Sequence, residues 1–201
     1  TKCFISNGGI ADLVVLFAIT DKSRGSRGIS ALLVEKGTPG FSTGKEENKM
    51  GIRASNTCEL IFEDCRVPAA NLLGKEGLGF KIALTALDGG RIGIGAQATG
   101  IAQAAYEASL EYAKTRQQFG QPISHFQAIQ WMLADMATRI EASRLLTLSA
   151  AMKKDAGERF TKEAAMCKLF ASVTAVGVTD RYMQIHGCYG YMKEFPVEGD
   201  Y

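Results

Sequence analysis

The rhythm of apolar and polar positions changes near Gly74. Before it, short apolar runs alternate with turn chemistry. Leu13-Val14-Val15-Leu16-Phe17-Ala18-Ile19 stops at Asp21, and Ile29 to Val34 follows a Gly/Ser/Arg turn and ends at Gly37. Cys58 to Glu63 alternates, with Leu60 and Phe62 on one face. Runs of this length bounded by turn residues predict strands of an antiparallel sheet or a small, partial barrel. After Gly74 the period becomes helical. Ile94, Ala98, Ile101, Ala105, Ala108 and Tyr112 recur at steps of three and four, as do Ile129, Leu133, Met136 and Ile140. A third stripe runs through Ala165, Leu169, Ser172, Val176, Thr179 and Met183. Gly120-Gln121-Pro122 and Asp155-Ala156-Gly157 interrupt the pattern as helix stops. Ser124 with Gln127 predicts a capping box, and Thr161 an N-cap. The expected fold is α+β. A partial antiparallel β-domain covers 1–73, and an up-down, four-helix-bundle-like domain covers 74–201.

Composition narrows the function classes. The sequence has 201 residues, 46% hydrophobic and 22% charged, as in an ordinary globular protein. A formal net charge of +2 without a Lys/Arg stripe argues against nucleic acid. No apolar run is long enough to span a bilayer. Five cysteines lack CxxC spacing, which argues for reduced thiols over a disulfide framework or zinc site. Two histidines, His125 and His186, exclude a histidine-rich metal centre. A β-region of roughly seventy residues is marginal alone, so the sequence reads as a piece of a larger protein.

The richest stretch is Gln184-Ile185-His186-Gly187-Cys188-Tyr189-Gly190-Tyr191, followed by Pro196-Val197-Glu198. It sets a Gly-broken turn just upstream of a carboxylate with no obvious ion partner. A carboxylate in apolar company has a raised pKa and can act as a base toward a weak carbon acid. On composition alone Glu198 would read as a solvated tail residue.

An ordered set of strings alters that reading. Phe4-Ile5-Ser6-Asn7-Gly8, Lys49-Met50-Gly51-Ile52-Arg53-Ala54-Ser55, Asp88-Gly89-Gly90-Arg91-Ile92, Arg116-Gln117-Gln118-Phe119-Gly120 and Gln184-Ile185-His186-Gly187 resemble acyl-CoA dehydrogenases, especially the short-chain, butyryl-type members. The resemblance covers essentially the whole chain. It implies the later part of a middle, flavin-contacting β-domain and most of a C-terminal helical bundle, in a homotetramer. It implies FAD as cofactor, a short acyl-CoA as substrate, and an electron-transferring flavoprotein as electron acceptor. The implied reaction removes an α-proton and passes the β-hydride to the flavin N5, giving a trans-2-enoyl-CoA.

Residue by residue, the resemblance makes Glu198 the base. Relatives that carry the base on the earlier helix place it just before the Arg of the Asp-x-x-Arg string, and here that position is Gly90. Phe4, Ile5 and Ser6 correspond to the flavin-contacting strand, where many members have Trp and Thr. Arg116, Phe119 and Gln127 correspond to residues reaching the ADP portion of a neighbouring subunit's FAD. Gln184, Ile185, His186 and Gly187 form a second such segment, and Tyr201 joins the cofactor set. Asp88, Gly89, Gly90 and Arg91 correspond to the substrate side, near the CoA moiety. Two positions depart from the family: Cys188 replaces a usual Gly, and Gly199 replaces the Lys or Arg that follows the base.

The bland readings are also specific. Arg116 could be a cation at a helix C-terminus, Gln127 a capping residue, and His186 a packed histidine. Asp88 and Arg91 could be a helix-start acid and a surface base. Two alternative functions stand beside the dehydrogenase: an oxidase that passes electrons to oxygen, and a non-catalytic FAD-binding or assembly piece. The resemblance implies bacterial cytoplasm or mitochondrial matrix.

Overall fold

The computed structural model describes residues 1–195 and 197–200, without the side chains of Glu198 and Asp200. The chain forms two compact units, Thr1–Thr85 and Ala86–Tyr201.

The first unit is β-rich. Strands β1 (Lys2–Ser6), β2 (Leu13–Ile19), β3 (Ile29–Glu35), β4 (Phe41–Glu46) and β5 (Thr57–Phe62) form two antiparallel sheets. One sheet has the order β1-β5-β4, and the other is the β2–β3 hairpin. The hairpin register runs from Leu13 opposite Glu35 to Ile19 opposite Ile29. Its connection is a 3-10 segment opened by Asp21, whose carboxylate accepts from the Ser23 amide at 2.9 Å and the Ser23 hydroxyl at 2.7 Å. That is the local capping chemistry expected of Asp. Lys2 Nζ donates to the Phe17 carbonyl at 2.8 Å and ties one sheet to the other. Ala31, Val34, Cys58 and Leu60 are buried in this unit. Phe41 and Phe62 stack with centroids 4.9 Å apart. Strand β4 has no clear apolar alternation (Phe-Ser-Thr-Gly-Lys-Glu), and the sequence reading passed over it.

The second unit is built on three long helices: α1 (Gly79–Thr115), α2 (Gln127–Asp155) and α3 (Thr161–His186). Strands β6 (Gln117–Gln118) and β7 (Gln121–Pro122) form a small hairpin between α1 and α2, and a short helix, α4 (Val197–Asp200), ends the described chain. Contacts fix the directions. Gln103 on α1 bonds Arg144 on α2 at 2.9 Å, and Gly95 lies against Thr147, so α1 and α2 are antiparallel. Lys153 pairs with Glu163 at 2.6 Å and Arg181 with Asp135 at 2.7 Å, so α2 and α3 are antiparallel too. The core between them holds Ala102, Ala105, Met136, Ile140, Val178 and Tyr182, joined by Val197 of α4. Full burial of a Met- or Val-sized side chain stabilises by about 1.5–3 kcal/mol.

Several sequence expectations need correction. The third apolar stripe has the right period but lies partly off the buried face: Thr179 is buried and Met183 packs against the core, whereas other positions do not. Leu169 and Val176 are 66% and 67% exposed, while Ala164, Cys167, Ala171, Thr174 and Val178 face the core. Small residues are buried because α3 approaches its neighbours closely, and the larger aliphatics point outward. On α1, Ala98 and Ala105 are buried as expected, but Ile94 and Ile101 are exposed. The capping box does not form. Ser124 lies in a 3-10 turn, Phe126 is the N-cap of α2 without a side-chain cap, and Gln130 bonds the Ser124 carbonyl at 2.9 Å. Thr161 is the first residue of α3, not its cap, and its hydroxyl is used elsewhere.

Candidate functional site

In the β-unit the candidate residues lie on β1. The ladder to β5 slips between Lys2 and Ile5, a bulge that places Phe4 at φ 56°. A bulky residue in the left-handed region is strained by about 1–3 kcal/mol and clusters at functional sites. Here the bulge leaves the Phe4 ring 73% exposed. Ser6, two residues on, is exposed and Ile5 half-buried. An aromatic face and a hydroxyl on one edge strand suit a planar ring with polar edges.

In the helical unit, α1 ends at Thr115, and the Arg116 amide still bonds the Tyr112 carbonyl at 2.8 Å. The guanidinium lies 5.3 Å from the Tyr189 ring centroid. The β6–β7 hairpin then turns through Phe119 and Gly120 at φ 53° and 78°. Two successive positive φ values define a type I′ turn, where Phe is costly and Gly is not. The result is a ring that is 91% exposed, edge-on to Phe126 at 6.1 Å. Gln127 is exposed at the start of α2.

Helix α3 is capped by Gly187, whose φ of 60° and ψ of −134° favour glycine strongly. The following 3-10 turn, Gly187–Tyr191, is pinned at Gly190, where an added Cβ would lie 2.9 Å from the Met183 carbonyl. His186 is 5% exposed. Its Nδ1 lies 3.1 Å from the Tyr182 carbonyl, so this nitrogen carries the proton and donates. Burial holds its pKa below the ordinary histidine value, partly offset by that bond. The imidazole is therefore neutral near pH 7, stacked on the face of Tyr112 and perpendicular to the ring of Tyr182.

The structure brings some predicted residues together and separates others. Arg116, Ile185, His186 and Gly187 line one cavity of about 280 Å³, together with Tyr112, Gln118, Cys188 and Tyr189. Gln184 opens onto an adjoining hollow with Gly187 and Tyr191. Phe119 and Gln127 do not line the Arg116 cavity. A guanidinium lying over the Tyr189 ring, a turn with no side chain at Gly187 and flanking rings fit a phosphate-bearing, planar ligand. The side chain of Glu198 and all of Tyr201 lie outside the described residues; the Glu198 backbone belongs to α4.

Asp88, Gly89, Gly90 and Arg91 sit at the opposite end of α1 from Arg116. At 1.5 Å per residue the two ends are about 40 Å apart. Asp88 accepts from Arg91 Nη1 at 2.5 Å and from the Thr161 hydroxyl at 2.7 Å. It thus holds the head of α3 against α1 as well as orienting Arg91. Sequence reading missed Thr161 in this role, and it missed the ring cluster of Tyr112, Tyr189 and Phe195 around His186. The only sequence signal was the density of aromatics after residue 181. Among the described residues, no cluster of His, Cys, Asp and Glu is placed to hold a metal. No helix among them is long and apolar enough to cross a membrane.

Comparison with known proteins identifies the family. Residues 1–65 match the acyl-CoA dehydrogenase middle domain, and residues 77–201 the acyl-CoA dehydrogenase C-terminal domain. The chain is 62% identical over 201 residues to an acryloyl-CoA reductase (NADH) from Anaerotignum propionicum, covering 100% of this chain and 51% of that protein. It superposes on butyryl-CoA dehydrogenase from Megasphaera elsdenii with a TM-score of 0.97, at 55% identity, over 99% of this chain and 52% of that one. A chain from the structure described as the electron transferring flavoprotein of Acidaminococcus fermentans gives a TM-score of 0.97 at 58% identity, over 99% and 52%. The chain spans about half the length of the relatives it matches. It belongs to the acyl-CoA dehydrogenase family.

Proposed function

We propose that this chain is part of an FAD-dependent enzyme that dehydrogenates a short-chain acyl-CoA to the trans-2-enoyl-CoA. The observation that carries the reading is its likeness, along its whole length, to butyryl-CoA dehydrogenase at 55% identity. Glu198 takes the α-proton. That proton is a weak acid, so the base must be sheltered from water and the thioester carbonyl polarised. FAD, when bound, supplies the hydride acceptor for the β-carbon. Phe4, Ile5 and Ser6 orient the flavin ring system from β1. Arg116 carries the charge complementary to the pyrophosphate, with Phe119, Gln127, Gln184, Ile185, His186, Gly187 and Tyr201 completing the cofactor set. Arg91, oriented by Asp88 and flanked by Gly89 and Gly90, serves the CoA side. The separation of about 40 Å between the ends of α1 supports Arg116 serving the cofactor of a neighbouring subunit in a homotetramer. An electron-transferring flavoprotein is the proposed acceptor.

Substituting Glu198→Gln in the FAD-loaded protein tests the assignment. Butyryl-CoA should bleach the wild-type flavin under anaerobic conditions and leave the variant's flavin oxidised, with FAD content unchanged. Bleaching of the variant at the wild-type rate would sink the role. Fast reoxidation in air with peroxide release would mark an oxidase instead.

A second reading runs the same chemistry backwards. The relative at 62% identity is named for reducing acryloyl-CoA with NADH. In that direction Glu198 returns the proton to the α-carbon. NADH oxidation driven by acryloyl-CoA, in the presence of the electron-transferring flavoprotein, distinguishes the two directions.

A further inference from the structure

The segment between α3 and α4 is held by ring contacts, mostly edge-on. Phe195 meets Tyr112 edge-on at 6.1 Å and 90°, His186 at 6.0 Å and 68°, and Tyr189 at 5.2 Å. Tyr189 in turn lies under the Arg116 guanidinium at 5.3 Å. Two successive turns fold the intervening chain: the Met192 amide bonds the Tyr189 carbonyl at 3.1 Å, and the Phe195 amide bonds the Met192 carbonyl at 3.2 Å. Val197 is fully buried in the helical core, and Glu198 is the next residue.

This arrangement has a consequence for Glu198. A residue of a four-residue helix is located only as well as its neighbours are. A helix that short has no cooperative backbone stability of its own. Its placement therefore comes from the anchors before it. Those anchors are directional, because aromatic pairs prefer edge-on and offset geometries. They also connect to the end of α1 through Tyr112 and Arg116.

We infer that Phe195 and Tyr189 are positioning residues for the base. They key the turn bearing Glu198 to the Tyr112–His186 stack and to Arg116, and so set where the carboxylate meets the substrate. The inference rests on Glu198 being the base, and the experiment separates the two claims. Each ring acts through the backbone of the segment that it holds.

The test uses the FAD-loaded protein with Phe195→Leu, Tyr189→Leu and Tyr189→Phe, beside Glu198→Gln. Two readouts are taken: hydrogen exchange of the amides in 192–200, and the pH profile of anaerobic flavin bleaching by saturating butyryl-CoA. Phe195→Leu and Tyr189→Leu should raise exchange in that segment at least tenfold, with flavin absorbance retained in Phe195→Leu, whose ring does not line the Arg116 cavity. They should slow bleaching about tenfold and move the acid limb of its profile, as water reaches the carboxylate. Tyr189→Phe keeps the ring and should keep the wild-type exchange rates in 192–200. Phe195→Leu nearly conserves volume, so a folded protein is expected. Unchanged exchange and an unmoved pH limb in both leucine variants would overturn the positioning role. Raised exchange together with full bleaching by Glu198→Gln would leave the anchor standing and remove the base beneath it.

Discussion

Tyr112 and His186 stack face to face, with ring centroids 4.0 Å apart and planes inclined by 22°. One ring comes from the last turns of α1 and the other from the last residue of α3. The pair closes the end of the helical unit that carries the Gly-broken turn. A neutral imidazole serves here as a flat, half-polar core residue with one proton committed to the Tyr182 carbonyl.

A pH dependence follows. Burial lowers the pKa of His186 in the folded state below its unfolded value near 6.5. Between those two values the unfolded chain binds more protons than the folded one, so stability falls as pH drops. The contribution is complete above about pH 6.5 and is lost progressively toward the lower, folded-state value. Thermal midpoints measured from pH 7.5 to pH 5 should fall in the wild type. His186→Phe, which cannot titrate, should flatten that part of the curve.

The Thr161–Asp88 bond predicts a structural cost at a candidate substrate residue. Thr161→Val removes one hydrogen bond but leaves Asp88 paired with Arg91. It should destabilise by about 1 kcal/mol. Asp88→Ala breaks both bonds and should cost somewhat more, yet the Arg91 side chain is 37% exposed and can be rehydrated. Denaturant midpoints check this ordering. If Asp88 acts only on the substrate, Thr161→Val will leave both stability and KM unchanged.

Gly190→Ala places a methyl group 2.9 Å from the Met183 carbonyl, closer than real Cβ contacts come. The turn must shift, at a cost of about 1–3 kcal/mol. A melting curve and the flavin content of the variant report the cost and its effect on the adjoining cavity.

The thiols should react in two classes. Cys3 and Cys188 are exposed, while Cys58 and Cys167 are buried and held above the ordinary thiol pKa by that burial. Cys3 donates to the Glu59 carboxylate at 3.4 Å, which raises its pKa and should slow it at neutral pH. Mass spectrometry after a short alkylation pulse should find Cys188 modified first and Cys3 later. Cys58 and Cys167 should appear only after unfolding.

Much of this was legible in the sequence, for identifiable reasons. Strand β2 was readable to the residue because an uninterrupted apolar run ended at Asp21. The helix stops at Asp155 and before Gly120 were readable because Gly and Pro act locally. Strand β4 was not, because its pairing with β5, not its own pattern, makes it a strand. The buried face of α3 was misread because close helix packing selects small residues and leaves Leu169 and Val176 outside. The caps at Ser124 and Thr161 were misread because a 3-10 turn and a distant carboxylate competed for the same groups.

By itself the sequence determined the family, the β-then-α order and the residue types able to hold a phosphate or take a proton. Those follow from local periodicity, turn chemistry and ordered motifs, which need no knowledge of distant neighbours. Only the tertiary structure decided that Arg116, His186 and Gly187 share one cavity while Asp88 stands at the far end of the same helix. It also gave Asp88 a partner in Thr161 and gathered five rings around the approach to Glu198. Such relationships join residues tens of positions apart, and packing alone sets them.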